Sequence, residues 1–179
     1  MIAVVYEVGR YRALLSEVVG VGDVVVEIGP HICKSTDAYV SKASKAVLVD
    51  KGSDCKQDLI EYSSKHGNVE FVFGDARDFS TLELAKKHVL SCDVLAVDLG
   101  GGRFPDTVFK VWGTWSGVFK PKHSIIRCRG IAEFLKKAKV MDGSLPATFP
   151  DSGWLTEYGR GTPVEMKNQL DEFSHWVKL

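Results

Sequence analysis

The sequence lacks three features that would each point to a particular class of protein. Its four cysteines are widely separated and form no Cys-X-X-Cys pair, which argues against a zinc ribbon or a thioredoxin-like site. Lys plus Arg and Asp plus Glu both number 23, so no overall charge draws the chain toward nucleic acid or a membrane. No apolar run reaches the roughly 18 residues of a membrane span, and the apolar start lacks the basic region of a signal peptide. We therefore expect a cytoplasmic protein with reduced thiols and no membrane partner.

What the sequence does contain is an alternation of short β-rich runs and helical segments. With 179 residues, 45% of them apolar, it fits one compact domain over 1–179. Runs rich in Val or Ile predict buried strands at 24–28, 46–49, 69–73, 94–97 and 124–126. Intervening segments predict helices at 35–44, 54–65, 81–89, 105–119 and 130–139. This alternation predicts an α/β fold with a Rossmann-like, mostly parallel sheet and helices on both faces.

The two ends of the chain are predicted to pack on this core. Residues 1–20 are expected to contain a leading helix over 6–19. The stretch 141–162 is rich in Gly, Pro, Ser and Thr and predicts a long loop, which would be a lid over a functional site or a misassigned region. An amphipathic pattern over 164–176 predicts a final helix that packs on the domain.

Acidic residues recur where the predicted strands end. Glu27 lies near the end of the first strand, directly before Ile28 and Gly29, and Asp50 ends the second. Asp75 follows the third, and Asp98 ends the fourth. Ligands of open parallel sheets bind at the carboxyl ends of the strands, so these residues predict one site.

The chemistry of an adenosyl ligand accounts for these residue types. A carboxylate such as Asp50 can accept hydrogen bonds from both ribose hydroxyls. Gly29 lets the backbone approach a ligand without a Cβ, and Glu27 can receive a cationic amino group. Asp75 with the backbone amide of Ala76 can bind the edge of adenine.

These segments resemble the class I S-adenosylmethionine-dependent methyltransferases. Residues 24–29 are similar to the first motif of that family, 47–50 to the second, 73–78 to the third and 93–98 to the fourth. The resemblance covers roughly residues 20 to 140. It implies S-adenosylmethionine as the cofactor, bound by Glu27, Gly29, Asp50, Asp75 and Ala76. It also places Asp98 where the family often carries substrate-facing or catalytic groups.

Two features depart from the family pattern. The loop after Gly29 runs Pro30-His31-Ile32-Cys33-Lys34-Ser35, where the family usually has further glycines. A bulkier loop is expected to reshape the site around the methionine part of the ligand. No antiparallel strand pair is evident after Lys139, so the sheet is expected to be trimmed to five parallel strands.

Few side chains are candidates for the chemical step. Asp98 and His31 can serve as a general base, although a lone loop histidine is more often simply exposed. Cys128 follows the fifth strand, but the Pro-Cys of RNA cytosine methyltransferases is absent after the fourth, which favours a buried structural thiol. The Asn/Asp-Pro-Pro-aromatic signature of amino-group methylation is also missing.

The acceptor is not specified by any motif, and a basic stretch makes RNA the first hypothesis. Lys120, Lys122, Arg127 and Arg129 concentrate positive charge around the fifth strand and can hold a phosphate backbone. A solvated helix face accounts for the same pattern.

Other functions remain open on the sequence. A phosphate loop is excluded, because Cys33 stands where the second glycine of that motif belongs. A nicotinamide-binding protein would carry a three-glycine fingerprint that is absent here, although an acidic residue such as Asp50 suits both cofactors. A non-catalytic binding module or assembly subunit with the same fold is the other alternative, and the oligomeric state is left open.

Overall fold

The computed structural model describes residues 1–100, 104–139 and 141. Its strands are β1 (Ile2–Val5), β2 (Val24–Ile28), β3 (Lys45–Asp50), β4 (Val69–Phe73), β5 (Val94–Asp98) and β6 (His123–Arg127). Its helices are α1 (Val8–Val18), α2 (Lys56–Lys65), α3 (Phe79–Lys86), α4 (Pro105–Phe119) and α5 (Arg129–Lys137).

The six strands form one sheet in the order β1-β6-β5-β2-β3-β4, and every neighbouring pair is parallel. The chain runs outward from β2 through β3 to β4, and then crosses to the other side of β2, where it forms β5 and β6. The strand order therefore reverses between β2 and β5. Such a switch point opens a crevice at the carboxyl ends of the strands. The sheet topology therefore places that crevice between Glu27 to Gly29 and Asp98.

The sheet is covered on both faces, which explains why its central strands β2 and β5 are apolar except for Glu27 and the terminal Asp98. One face packs against α3, α4 and α5 through large side chains such as Trp112, Trp115 and Phe119. The other face packs against α1 and α2 through Tyr11, Leu15 and Leu59. Alternate residues of β2 point to opposite faces, so both sets must be hydrophobic.

Much of the predicted architecture is confirmed. The α/β class with a Rossmann-like parallel sheet is observed, and β2 and β4 begin and end at the predicted residues. Helix α4 also has the predicted bounds, although it contains Gly113 and Gly117. Burial of its apolar face outweighs the low helix propensity of the two glycines.

The prediction of five strands was wrong, because the chain begins with a strand. Residues Ile2–Val5 pair in parallel with β6, and the Met1 amino group donates a hydrogen bond to the Lys122 carbonyl oxygen. The leading helix is correspondingly shorter than expected and spans Val8–Val18. The apolar start is thus an edge strand beside β6, and no antiparallel pair occurs within the described residues.

The predicted helix over 35–44 was also wrong. The segment contains a single 3₁₀ turn at Thr36–Ala38 within a run of turns. Cys33 takes a left-handed conformation with φ of 60°, and the side chains of Thr36 and Tyr39 hydrogen bond to Glu27. These tertiary contacts hold the segment in turns in place of a regular helix.

The predicted loop over 141–162 and helix over 164–176 fall, apart from residue 141, outside the described residues. In the part of the chain that the structure describes, no helix is long and apolar enough to cross a membrane.

The Trp115→Phe variant tests how the α4 face supports the site. The fully buried Trp115 indole donates a 2.7 Å hydrogen bond to the Ala76 carbonyl oxygen. Loss of this donor leaves the Ala76 carbonyl oxygen without its hydrogen bond and should lower the free energy of unfolding by about 1–3 kcal/mol. The smaller phenyl ring also leaves a cavity, which adds to the loss. Urea denaturation measures the change. Phe134→Leu, at a side chain that is 68% exposed, should stay within about 0.5 kcal/mol of wild type. Equal effects of both variants would contradict this account.

Candidate functional site

A pocket of about 640 Å³ lies at the carboxyl ends of the strands, over the switch point. Its volume is within the range typical of small-molecule and cofactor sites. Its lining brings together six of the seven residues predicted for the site: Gly29, His31, Asp50, Asp75, Ala76 and Asp98. Glu27 does not line it.

Gly29 shapes the floor of the pocket. Its φ is 80°, and a Cβ at this position would lie 1.8 Å from the Asp98 carbonyl oxygen. The Gly29 amide also donates to the Val49 carbonyl oxygen at 2.8 Å. The end of β2 therefore contacts its neighbours on both sides, and only glycine combines this conformation with this proximity.

Asp50 ends β3 with its carboxylate held by backbone amides. Oδ1 accepts from the Gly52 amide at 2.8 Å, and Oδ2 accepts from the His31 amide at 3.0 Å. Each oxygen thus accepts one backbone hydrogen bond, and a carboxylate oxygen can accept a second. The carboxylate is thus oriented by two loops and keeps acceptor capacity for a ligand.

Asp75 is engaged by neighbouring cations. It accepts from the Arg77 amide and guanidinium and forms an ion pair with Lys51 at 3.1 Å. Partial burial by itself would raise the pKa of Asp75, but the hydrogen bonds from Arg77 and Lys51 outweigh it and lower that pKa to about 2. Asp75 is therefore ionised, and a ligand must compete with Arg77 and Lys51 for its oxygens.

Glu27 lies beneath the pocket and is fully buried. Its Oε2 accepts 2.7 Å hydrogen bonds from the Thr36 and Tyr39 hydroxyls. Burial raises the pKa of Glu27, against the opposing effect of the hydroxyls of Ser35, Thr36 and Tyr39. The sequence placed Glu27 in contact with a ligand, and the structure places it under the loop that lines the pocket.

The two candidates for catalysis have different surroundings. Asp98 accepts from Arg127 Nη1 at 3.1 and 2.8 Å, which fixes the carboxylate at the end of β5. His31 is exposed, with a φ of 52° and its Nε2 3.6 Å from an oxygen of Asp54. Its backbone amide orients Asp50, so His31 contributes to the pocket whether or not its ring takes part. Cys128 is completely buried, as expected for a structural thiol.

The four basic residues proposed for RNA do not form one surface. Lys122 lies before β6 and pairs with Asp93 at 2.7 Å, whereas Arg127 ends the same strand beside Asp98. Five residues of extended chain separate these ends by about 16 Å. Lys120 lies near Lys122, and Arg129 lies on the pocket side, paired with Glu133. The single basic surface expected from the sequence is therefore corrected to two groups, which lie at opposite ends of β6.

Sequence reasoning missed several side chains that line the pocket, namely Tyr11, Arg12, Lys51, Arg77, Phe104 and Arg127 as a partner of Asp98. Lys51 and Arg77 each stand within two positions of an acidic strand end, which was an available signal. Tyr11 and Arg12 come from α1, and nothing local in the sequence placed that helix beside the crevice.

No family model and no curated protein matches this chain. Its fold is similar to that of solved structures at low sequence identity. An rRNA methylase from Streptococcus thermophilus gives a TM-score of 0.51 at 14% identity, over 73% of this chain and 78% of the other. A proposed rRNA methylase from Clostridium thermocellum gives 0.52 at 15%, over 73% and 79%. Precorrin 8W decarboxylase from Methanobacterium thermoautotrophicum gives 0.52 at 19%, over 71% and 67%. The resemblance to the methyltransferase family is confirmed at the level of the fold.

The Gly29→Ala variant tests the close approach of β2 to β5. Because the added Cβ would overlap the Asp98 carbonyl oxygen at 1.8 Å, the free energy of unfolding should fall by more than about 4 kcal/mol. Gly22→Ala is the matched control, with a φ of 90° and no atom within 4 Å of the added Cβ. It should cost only the left-handed strain of about 1–2 kcal/mol. Thermal and urea denaturation measure both, and equal losses would refute the steric argument.

Proposed function

We propose that this protein is an S-adenosylmethionine-dependent methyltransferase whose cofactor binds in the pocket over β2, β3 and β4. The observation that carries the proposal is the convergence of Gly29, Asp50, Asp75 and Ala76 on one pocket at the switch point of the sheet. The adenosine would lie toward Asp50, Asp75 and Ala76. The methionine part would lie toward Gly29 and Asp98.

The residues present fit the cofactor. Asp50 keeps one acceptor position on each oxygen, as two vicinal hydroxyls require. The conformation of Gly29 leaves backbone where a side chain would otherwise stand. The Trp115 indole holds the Ala76 carbonyl oxygen, which anchors the residue whose amide would face the adenine edge. Asp75 would add a hydrogen bond there by releasing Lys51, the more exposed of its two partners.

The bound cofactor would supply a sulfonium-activated methyl group, so the chain itself needs chiefly to align an acceptor about 3 Å from it. Because the sulfur of the cofactor would keep the electron pair of the carbon–sulfur bond, no residue of the chain would need to protonate a leaving group. Asp98, fixed by Arg127, would orient the acceptor. Because Arg127 neutralises Asp98, the exposed imidazole of His31 is the better placed group to receive an acceptor proton.

Glu27 takes a positioning role in this proposal. Its carboxyl holds Thr36 and Tyr39, and these residues follow the loop that lines the pocket. It would therefore keep the His31 to Ser35 loop in place beneath the cofactor without touching it.

RNA is the acceptor we propose. Two of the structural neighbours are described as rRNA methylases or proposed ones. Arg127 and Arg129 lie on the pocket side of β6, where a phosphate backbone would pass if a base entered the pocket. A decarboxylase is also among the neighbours, so the fold alone does not determine the reaction. The choice of acceptor therefore has to be argued from the residues of the site.

Titration calorimetry with S-adenosylmethionine and S-adenosylhomocysteine tests the cofactor assignment, with NADH run in parallel. The Asp50→Ala variant should bind both adenosyl ligands at least about tenfold more weakly, because two charge-assisted hydrogen bonds to the ribose are lost. Asp58→Ala, at an exposed site on α2, should bind like wild type. A folded wild-type protein that binds NADH alone would support the nicotinamide alternative. Ligand binding without methyl transfer to any acceptor would support the non-catalytic one.

A matched pair of variants tests the RNA proposal. Arg129→Gln and Lys122→Gln each remove an exposed, ion-paired cation, but the two residues flank opposite ends of β6. Arg129→Gln should weaken binding of a short RNA hairpin and reduce the salt-dependence slope by about 1, and Lys122→Gln should change neither. Fluorescence anisotropy across a salt series measures both. Equal behaviour of the two variants would contradict an RNA path over the pocket.

A further inference from the structure

The mouth of the pocket carries exposed aromatic side chains on the side of β1 and β6. Phe104 lines the pocket and is 63% exposed, and Tyr6, which directly follows β1, is 47% exposed. A single exposed aromatic residue needs no explanation, whereas several large apolar groups around one pocket indicate a binding surface.

Contacts between chain segments place the two rings along one row. The guanidinium carbon of Arg129 lies 5.2 Å from the centre of the Tyr6 ring. The next residue, Gly130, lies so close to Pro105 that an added Cβ would be 3.0 Å from the proline Cγ. Pro105 directly follows Phe104 in the sequence. Tyr6, Arg129 and Phe104 therefore follow one another across the side of the sheet where β1, β6 and β5 end.

Arg127 connects this row to the interior of the pocket. Its Nε donates a 3.2 Å hydrogen bond to the Tyr6 carbonyl oxygen, and its Nη1 donates to the Asp98 carboxylate at 2.8 Å. One guanidinium thus bridges the first residue of the row and the carboxylate proposed to orient the acceptor. The row therefore lies on the acceptor side of the pocket, away from Asp75 at the end of β4.

The charges that line the pocket favour a polyanion as the partner of this row. Five cations but only three carboxylates line it, namely Arg12, Lys34, Lys51, Arg77 and Arg127 against Asp50, Asp75 and Asp98. Exposed aromatic rings beside cations bind single-stranded nucleic acid, because every base has a face that can stack and every nucleotide carries a phosphate. The bases of a duplex are already stacked and paired, so they stack on a protein ring only after leaving the helix.

We propose that Tyr6 and Phe104 are stacking sites for two bases of an unpaired RNA segment, with Phe104 holding the base nearer the pocket. Arg129 lies over the Tyr6 ring, and Tyr6 remains half exposed for a base. The choice of RNA rests on the proposed function, and the two rings narrow the acceptor to nucleotides outside a duplex.

Three forms of one short RNA test the proposal by fluorescence anisotropy: the single strand, the same strand annealed to its complement, and an abasic strand that keeps every phosphate. Tyr6→Leu and Phe104→Leu keep an apolar side chain and remove the ring, whereas Tyr6→Phe keeps the ring. Phe73→Leu is the matched control. Phe73 is 42% exposed at the end of the opposite edge strand β4, and Lys56 Nζ lies 4.1 Å from its ring centre.

We expect the wild type to bind the single strand more tightly than the duplex, because only unpaired bases can stack. Tyr6→Leu and Phe104→Leu should each weaken binding of the single strand by about fivefold or more. The slope of affinity against salt should not change, since neither variant removes a cation. Both should bind the abasic strand as wild type does, and Tyr6→Phe and Phe73→Leu should match wild type on all three RNAs.

The proposal is overturned if either Leu variant, shown to be folded, binds the single strand as wild type does, or if its loss is as large on the abasic strand. A duplex that binds as tightly as the single strand also overturns it. So does a wild type that binds none of the three RNAs, which would leave the row to a partner of another class, such as a protein. Failure of the proposed cofactor gives a different result. Calorimetry with S-adenosylhomocysteine would then show no binding, while the anisotropy series still decides whether the two rings stack on bases.

Discussion

The contact between the end of β2 and the end of β5 is the constraint on which the site depends. The backbone of Gly29 lies so close to the Asp98 carbonyl that no side chain fits between them. This proximity fixes the switch point of the sheet, sets the pocket floor and brings the loop that follows Gly29 beside Asp50. Asp50, Asp75 and Ala76 are then positioned by where β3 and β4 end, because parallel strands present their carboxyl ends on one side of the sheet.

Carboxylates organise this edge in three distinct ways. Glu27 is buried and holds the loop from below, Asp50 is oriented by backbone amides, and Asp75 and Asp98 are each paired with an arginine. The acidic strand ends that looked alike in sequence therefore differ in what they can offer a ligand. Asp50 keeps open acceptor positions, whereas Asp75 and Asp98 chiefly fix the cations around the pocket.

The strands and the position of the site could be predicted because both follow from local signals. Val24–Ile28 is apolar apart from Glu27, and an acidic residue or glycine near a strand end is visible in sequence. The errors came from long-range contacts. Ile2–Val5 becomes a strand only by pairing with β6, and Thr36 and Tyr39 leave a helix only because Glu27 accepts their hydrogen bonds. Tyr11 and Arg12 reach the pocket only because α1 crosses beside β6.

Amide correlation spectra of the protein titrated with S-adenosylhomocysteine test the central claim most directly, since they locate the ligand on the sheet without assuming an acceptor. The account predicts that the largest shifts fall on Gly29, His31, Gly52 and Ala76, at the carboxyl ends of the strands. The amides of Gly22, Asp93 and His123, at the amino ends of the strands, should be unchanged. Shifts centred on the opposite edge, or none in a folded protein, would contradict it.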